Sequence, residues 1–152
     1  MQKFRELLLR YGVLAVIGIT PLLYFGMRAF PHITSKTFFF YGSVEILCAI
    51  WIYNLITDAS YQISRKQLLL ITPFFVYVVW MTIAGIMAVN PALSLWSSLM
   101  RGTGLLTLYH GLIFIVMIAS LARKYGTDYI KQILVVAFSA GSLVAVTIWC
   151  GD

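Results

Sequence analysis

Five side chains in this chain of 152 residues are of types, and in settings, that can carry binding or proton chemistry: Arg28, Lys36, Glu45, Arg101 and His110. Arg101 closes a pattern. Ser94, Ser97, Ser98 and Arg101 recur at three- and four-residue spacing, and so do Leu93, Trp96, Leu99 and Met100. That spacing predicts a short amphipathic helix lying in a membrane interface, apolar side down. Gly102 and Gly104 then let the chain bend steeply. A guanidinium there stays charged and presents a fork of donors suited to phosphate or diphosphate. An arginine anchoring to lipid headgroups has the same spacing, and both readings stand. Arg28, His32 and Lys36 crowd one short turn and would make the same face positive. Glu45 lies about two turns inside an apolar run, where an ionisable group is costly and functional by default. Its expected partners are Lys36 or Arg28; the alternative is a structural carboxyl hydrogen-bonded between helices. His110, beside Tyr109, reads as a bundle histidine with an interhelical partner. Nine residues separate it from Arg101, half a turn out of phase on a continuous helix. There is no phosphate-cradling glycine loop, no metal-ligand spacing and no serine–histidine–acid set. No complete catalytic site, no metal and no cofactor are expected.

The elements that position these groups follow from composition. The chain is 61% hydrophobic and 11% charged, against roughly 25% charged in a soluble domain. So little polar surface cannot cover a water-facing globule. The expected fold is an all-α integral membrane bundle of about five transmembrane helices. The spans are placed at 11–30, 37–56, 67–89, 105–122 and 132–149, each near the roughly 20 residues a bilayer requires. Polar stretches separate them: a turn over 30–36, a segment over 57–66, a loop over 90–104 holding the short interfacial helix, and a loop over 123–131. The apolar run after the basic start is too long for a signal peptide and lacks a small-residue cleavage site. Pro21 is expected to kink the first span. Cys48 and Cys150 sit in apolar runs without metal spacing.

Placing the N-terminus in the cytoplasm puts Lys3, Arg5, Arg10, Arg65, Lys66, Arg123, Lys124 and Lys131 inside, and Arg28, Lys36 and Arg101 outside. That is the asymmetry of the positive-inside rule. The C-terminus then emerges on the periplasmic side. The net charge of +6 is explained by loops facing anionic lipid, with no nucleic acid partner. Ala137, Gly141 and Ala145, four apart, predict that the last span approaches a neighbouring helix closely. The chain therefore reads as the front of a longer protein or as a truncated product, its missing helices supplied by the same protein or by an oligomer partner.

Three stretches, in this order, resemble the N-terminal part of the bacterial O-antigen ligase and O-antigen polymerase family. The first is Phe30-Pro31-His32-Ile33-Thr34-Ser35-Lys36-Thr37-Phe38-Phe39-Phe40, followed by Val44-Glu45-Ile46-Leu47. The second is Asn90-Pro91-Ala92-Leu93-Ser94-Leu95-Trp96, similar to the family's N-P-x-x-S-x-W. The third is Arg101-Gly102-Thr103-Gly104-Leu105, similar to its R-x-x-G-L. The likeness covers about residues 30–121. Ser97, Met100 and Thr103 depart from the family's usual residues, so the resemblance carries no acidic partner for Arg101.

The resemblance implies a polytopic inner-membrane glycosyltransferase involved in lipopolysaccharide biosynthesis. Its donor would be a polyprenyl-diphosphate-linked glycan and its acceptor a lipid A core sugar or another glycan, at the periplasmic face and without metal. It implies that Arg101, with Lys36 and Arg28, helps hold the donor diphosphate. The family's catalytic histidine and arginines lie in a large outer loop downstream of the matched region, a loop this sequence lacks. His110 is therefore not expected to be the catalytic base. The rival expectation is a small transporter or accessory subunit without enzymatic activity, with Glu45 lining a pathway.

Overall fold

Long apolar runs broken by Gly, Pro and capping residues fold as helices and short connections, with no strand among the described residues. The computed structural model describes residues 2–23, 31–96 and 104–149. Six helices follow one another: α1 (Gln2–Leu22), α2 (Pro31–Thr57), α3 (Arg65–Ile86), α4 (Pro91–Trp96), α5 (Leu105–Tyr125) and α6 (Thr127–Trp149). By length and composition four of them can cross a membrane: Lys36–Thr57, Arg65–Ile86, Leu105–Tyr125 and Thr127–Val146. The chain is an all-α, multi-pass membrane protein. The expected first span is not among the four. Its basic lead-in is not a separate segment but the start of α1, which carries Lys3, Arg5, Glu6 and Arg10. The remainder, 24–30, lies outside the described residues, and Pro21 falls in the last turn of the described helix.

Sequence boundaries moved where local chemistry outweighed polarity. The turn expected over 30–36 is helix from Pro31 onward. Proline is pre-set for the first helical position, where its missing N–H costs nothing. α3 starts at Arg65 because Ser64 and Gln67 form a capping box: Gln67 N–H donates to Ser64 Oγ at 3.3 Å and Ser64 N–H to Gln67 Oε1 at 3.0 Å. Gln67 Nε2 also donates to the Ala119 carbonyl at 2.8 Å, pinning α3 to α5. Pro73 sits inside α3 without ending it. The loop expected over 123–131 reduces to Gly126. It has φ +76°, and its N–H donates to the Ala122 carbonyl at 2.9 Å, so α5 stops and α6 starts at once. In the 90–104 loop, α4 is capped by Asn90, whose Oδ1 accepts from Leu93 N–H at 3.1 Å. Residues 97–103 lie outside the described residues.

α5 is central. It packs against α2, α3, α4 and α6, while α1 packs against α2 and α6. The buried core joins Leu9, Val13 and Val16 of α1 to Val44 and Leu47 of α2, Phe114, Met117 and Leu121 of α5, and Tyr129 of α6. Tyr61, in a short 3-10 turn between α2 and α3, closes it from one end. The starts of α1, α3 and α6 and the ends of α2 and α5 meet there. The eight basic residues assigned to one side by sequence all belong to segments at this end. Ala137, Gly141 and Ala145 are exposed on α6; α6 instead turns Ala140 inward, 3% exposed.

Gly126 and Gly141 separate backbone strain from packing, since a methyl at either meets nothing within 4 Å. Gly126→Val should lower the stability of the purified protein by about 1–3 kcal/mol, the cost of holding a side-chain-bearing residue in a positive-φ region that only glycine adopts freely. Gly141→Ala, in mid-helix, should leave stability equal or higher. Thermal unfolding in detergent measures both.

Candidate functional site

The described polar groups within the spans concentrate where α2 crosses α5. On α2, Tyr41 and Glu45 are four residues apart; on α5, Thr107 and His110 are three apart. Each pair therefore shares one helix face. Tyr41 Oη and Thr107 Oγ1 are hydrogen-bonded at 2.6 Å. The Tyr41 ring stacks on the His110 imidazole, with centroids 4.2 Å apart and planes 19° from parallel. His110 Nε2 lies 3.3 Å from Glu45 Oε1. Next to His110, Tyr109 Oη bonds Thr82 Oγ1 at 2.9 Å and ties α5 to α3. Thr82 Oγ1 already donates to the Val78 carbonyl at 2.7 Å, so Tyr109 is the donor between the two hydroxyls.

The histidine contacts determine where protons can sit. His110 Nδ1 lies 2.7 Å from the Leu106 carbonyl oxygen, which can only accept, so Nδ1 carries a hydrogen and donates it. A hydrogen bond between Nε2 and Glu45 then requires one further proton. It resides on the ring, giving imidazolium and carboxylate, or on the carboxyl, giving two neutral groups. Both forms have zero net charge, which is what a low-dielectric setting favours. The His110 side chain is 13% exposed and that of Glu45 70%. Glu45 thus contacts α5 through one oxygen and faces outward with the other.

Compared with family models, curated proteins and solved structures, the chain matches none. The described geometry sorts the residues singled out by sequence. Glu45 and His110 come together as an ion-pair or neutral pair. The described partner of Glu45 is His110 rather than Lys36. Lys36 lies nine residues from Glu45, two and a half helical turns, and so on the opposite side of α2. Arg28 and Arg101 lie outside the described residues, and of His32 only its place in the first turn of α2 is described. Tyr41 and Thr107 were not foreseen. Tyr41 reads in sequence as one more interfacial aromatic after Phe38-Phe39-Phe40. The available signal was the pair of polar doublets at helical spacing, Tyr41/Glu45 and Thr107/His110. Among the described residues no group of three His, Cys, Asp or Glu side chains can hold a metal ion.

A second polar assembly closes the opposite end. Lys124 Nζ donates to Asp58 Oδ2 at 2.9 Å and to Glu6 Oε1 at 3.0 Å, and lies 4.0 Å above the Tyr61 ring. Arg10 donates to Gln132 Oε1 at 3.0 Å, Tyr129 Oη donates to the Arg10 carbonyl at 3.1 Å, and Arg123 donates to the Gln62 carbonyl at 2.7 Å. These bonds tie α1, the α2–α3 connection, α5 and α6 together, which is structural work. The Lys124 ammonium, helped by the Ser60 N–H, holds the Asp58 carboxyl down at about 2.

Two outcomes follow. A double-mutant cycle of Glu45→Ala and His110→Ala, read by unfolding in detergent, should give a favourable coupling of about 0.6 kcal/mol or more, the usual size for a bond between membrane helices. Asp58, with its lowered folded value, stabilises fully above about pH 4 and loses that contribution as pH falls toward 2. The wild type should therefore lose more stability than Asp58→Asn over that window; equal losses would show that Asp58 titrates normally.

Proposed function

We propose that these residues form the N-terminal helical module of an O-antigen ligase-like glycosyltransferase of the bacterial inner membrane. The N-terminus is cytoplasmic and the α2–α4–α5 end is periplasmic. The module helps hold a polyprenyl-diphosphate-linked glycan for transfer to a lipid or glycan acceptor. The transfer step belongs to parts of the protein outside these residues.

One observation supports this most. The first stretch is more than forty residues from the second and third, yet its described part packs near the described part of the third. Glu45, of the first, bonds His110, five residues after the third ends. Ser94, of the second, and Leu105, of the third, meet at Gly85. A methyl there would stand 2.6 Å from Leu105 Cδ1 and 3.5 Å from Ser94 Cβ. A cleft of about 300 Å³ lies beside this contact, lined by Met81, Gly85, Ser94, Gly104, Leu105 and Leu108. Motif residues that assemble from separate segments are expected of a binding face.

The rival reading, a small transporter or accessory subunit, draws on Glu45 facing outward within a span. Inward of Glu45, however, the neighbouring groove is lined by Cys48, Ile52, Ile71, Thr72, Phe75, Ile113 and Val116 among others. That lining offers no chain of ionisable groups to carry an ion or proton across.

In cells making the intact protein, Arg101→Ala should depress glycan transfer at least tenfold, about 1.4 kcal/mol of lost diphosphate binding, with membrane insertion unchanged. Lys36→Ala should have a smaller effect in the same direction. The assay is transfer of labelled lipid-linked glycan in membrane vesicles. Transfer at the wild-type rate in Arg101→Ala would remove that residue from donor binding. No transfer by the intact wild-type protein would leave the accessory reading.

A further inference from the structure

Where α1 starts and α5 ends, one cation is fixed in place without an acceptor. Lys124 bonds Glu6 and Asp58, Arg10 bonds Gln132, Arg123 bonds the Gln62 carbonyl and Lys131 bonds Asp128. Arg5 differs. Its guanidinium lies 4.2 Å above the ring of Tyr53 on α2. Among the described residues no oxygen accepts a hydrogen bond from it, and its Nε is buried. A guanidinium stays charged at every relevant pH, and a charge taken partly out of water needs an opposite charge close by.

The neighbouring helix adds a second unmatched donor. Two contacts fix the antiparallel register of α1 and α2. Arg5 stacks on Tyr53, and Gly12 packs on Leu47, where a methyl would stand 2.6 Å from Leu47 Cδ2. Seven residues separate Arg5 from Gly12 and seven separate Leu47 from Asn54, so Arg5 and Asn54 are level. Asn54 is 2% exposed, and its Nδ2 has no acceptor among the described residues. Desolvated donors on two helices thus share one level and call for an acceptor that the described residues do not give.

The level identifies the source. Arg5 is three residues from the start of α1 at Gln2, and Tyr53 is four from the end of α2 at Thr57. At 1.5 Å per residue these are about 5 Å and 6 Å from the two helix ends. Glu6, the next residue of α1, belongs to the charged Lys124 assembly at the same end. This is the depth of lipid headgroups, which add roughly 5–8 Å on each side of the hydrocarbon. Toward the bilayer interior the surface turns apolar, with Leu8 on α1 and Ile46 on α2 exposed.

We infer that Arg5, propped on the half-exposed ring of Tyr53, binds the phosphate of an anionic phospholipid, whose chains run along Leu8 and Ile46. The guanidinium fork matches phosphate oxygens two at a time, and the ring holds the fork in place before the lipid arrives. Lys3 on α1 and Arg65 and Lys66 at the start of α3 are exposed at the same end. They make it positive, which favours a headgroup of net negative charge over one that carries its own ammonium. This assignment does not depend on the glycosyl-transfer reading.

Native mass spectrometry of the intact protein, purified in detergent and titrated with phosphatidylglycerol, tests it. One phosphatidylglycerol should bind ahead of the rest, and phosphatidylcholine with the same chains about fivefold more weakly, the scale of one basic residue near an anionic lipid. Arg5→Gln should weaken the first binding about tenfold, the loss of a charge-assisted hydrogen bond. Arg5→Lys should recover little of it, because an ammonium keeps the charge but not the fork or the stack. Tyr53→Leu should weaken it too, while Arg65→Gln, which removes a charge from the same end, should leave it unchanged. Wild-type affinity in Arg5→Gln, full recovery by Arg5→Lys, or equal losses in Arg5→Gln and Arg65→Gln would overturn the inference. Equal affinity for phosphatidylcholine would overturn the anionic headgroup, and displacement of the lipid by inorganic phosphate at the same concentration would overturn the lipid as ligand. These last two comparisons use the unsubstituted protein, so they decide even if a variant fails to fold.

Discussion

A hydrogen-bonding group inside hydrocarbon has only other protein groups to bond, and that constraint organises this molecule. Hydroxyls along the helices turn back onto their own backbone: Thr20 to Val16, Thr72 to Leu68, Thr82 to Val78 and Ser139 to Val135, each donating to a carbonyl one turn earlier. Polar groups too large or too charged for that solution bond across helices. These cross-helix bonds set which helices meet. Tyr41–Thr107 and Glu45–His110 join α2 to α5, Tyr109–Thr82 and Gln67–Ala119 join α3 to α5, and Arg10–Gln132 joins α1 to α6.

The two polar assemblies answer the constraint differently because they sit at different depths. Around Lys124, one cation is shared by two carboxylates from different segments, near the end of the bundle where charged groups are tolerated. Between α2 and the first turns of α5 the arrangement is one proton between one carboxyl and one imidazole, with no net charge. The first closes the connections between helices. The second leaves an acceptor facing outward. A membrane protein that retains such a pair within its apolar helices has a use for it, in packing or as part of a site.

The functional reading joins a resemblance in sequence to a convergence in space. The motif-like stretch ending at residue 47 could have packed on a different face from those at 90–96 and 104–105. α5 prevents that, because α2, α3 and α4 all pack on it. Its first turns meet Tyr41 and Glu45 on one side, while Gly85 lets Leu105 and α4 close in on the other.

Class was legible from residue types, because the bilayer imposes a length and a composition that few sequences meet by accident, although five spans were expected and four described helices qualify. Helix ends were less legible. Pro31 starts a helix where polarity suggested a turn, and Gly126 alone replaces a nine-residue loop, since caps and backbone dihedrals act on single residues while polarity is read over several. Glu45 and His110 each announced themselves as costly groups within apolar runs. That they are partners could not be read from the chain. Sixty-five residues separate them, and the sequence contains no term for which two helices pack side by side or how far one slides along the other. Only the packing of α2 on α5 brings Oε1 within reach of Nε2, and that registry is a property of the assembled bundle.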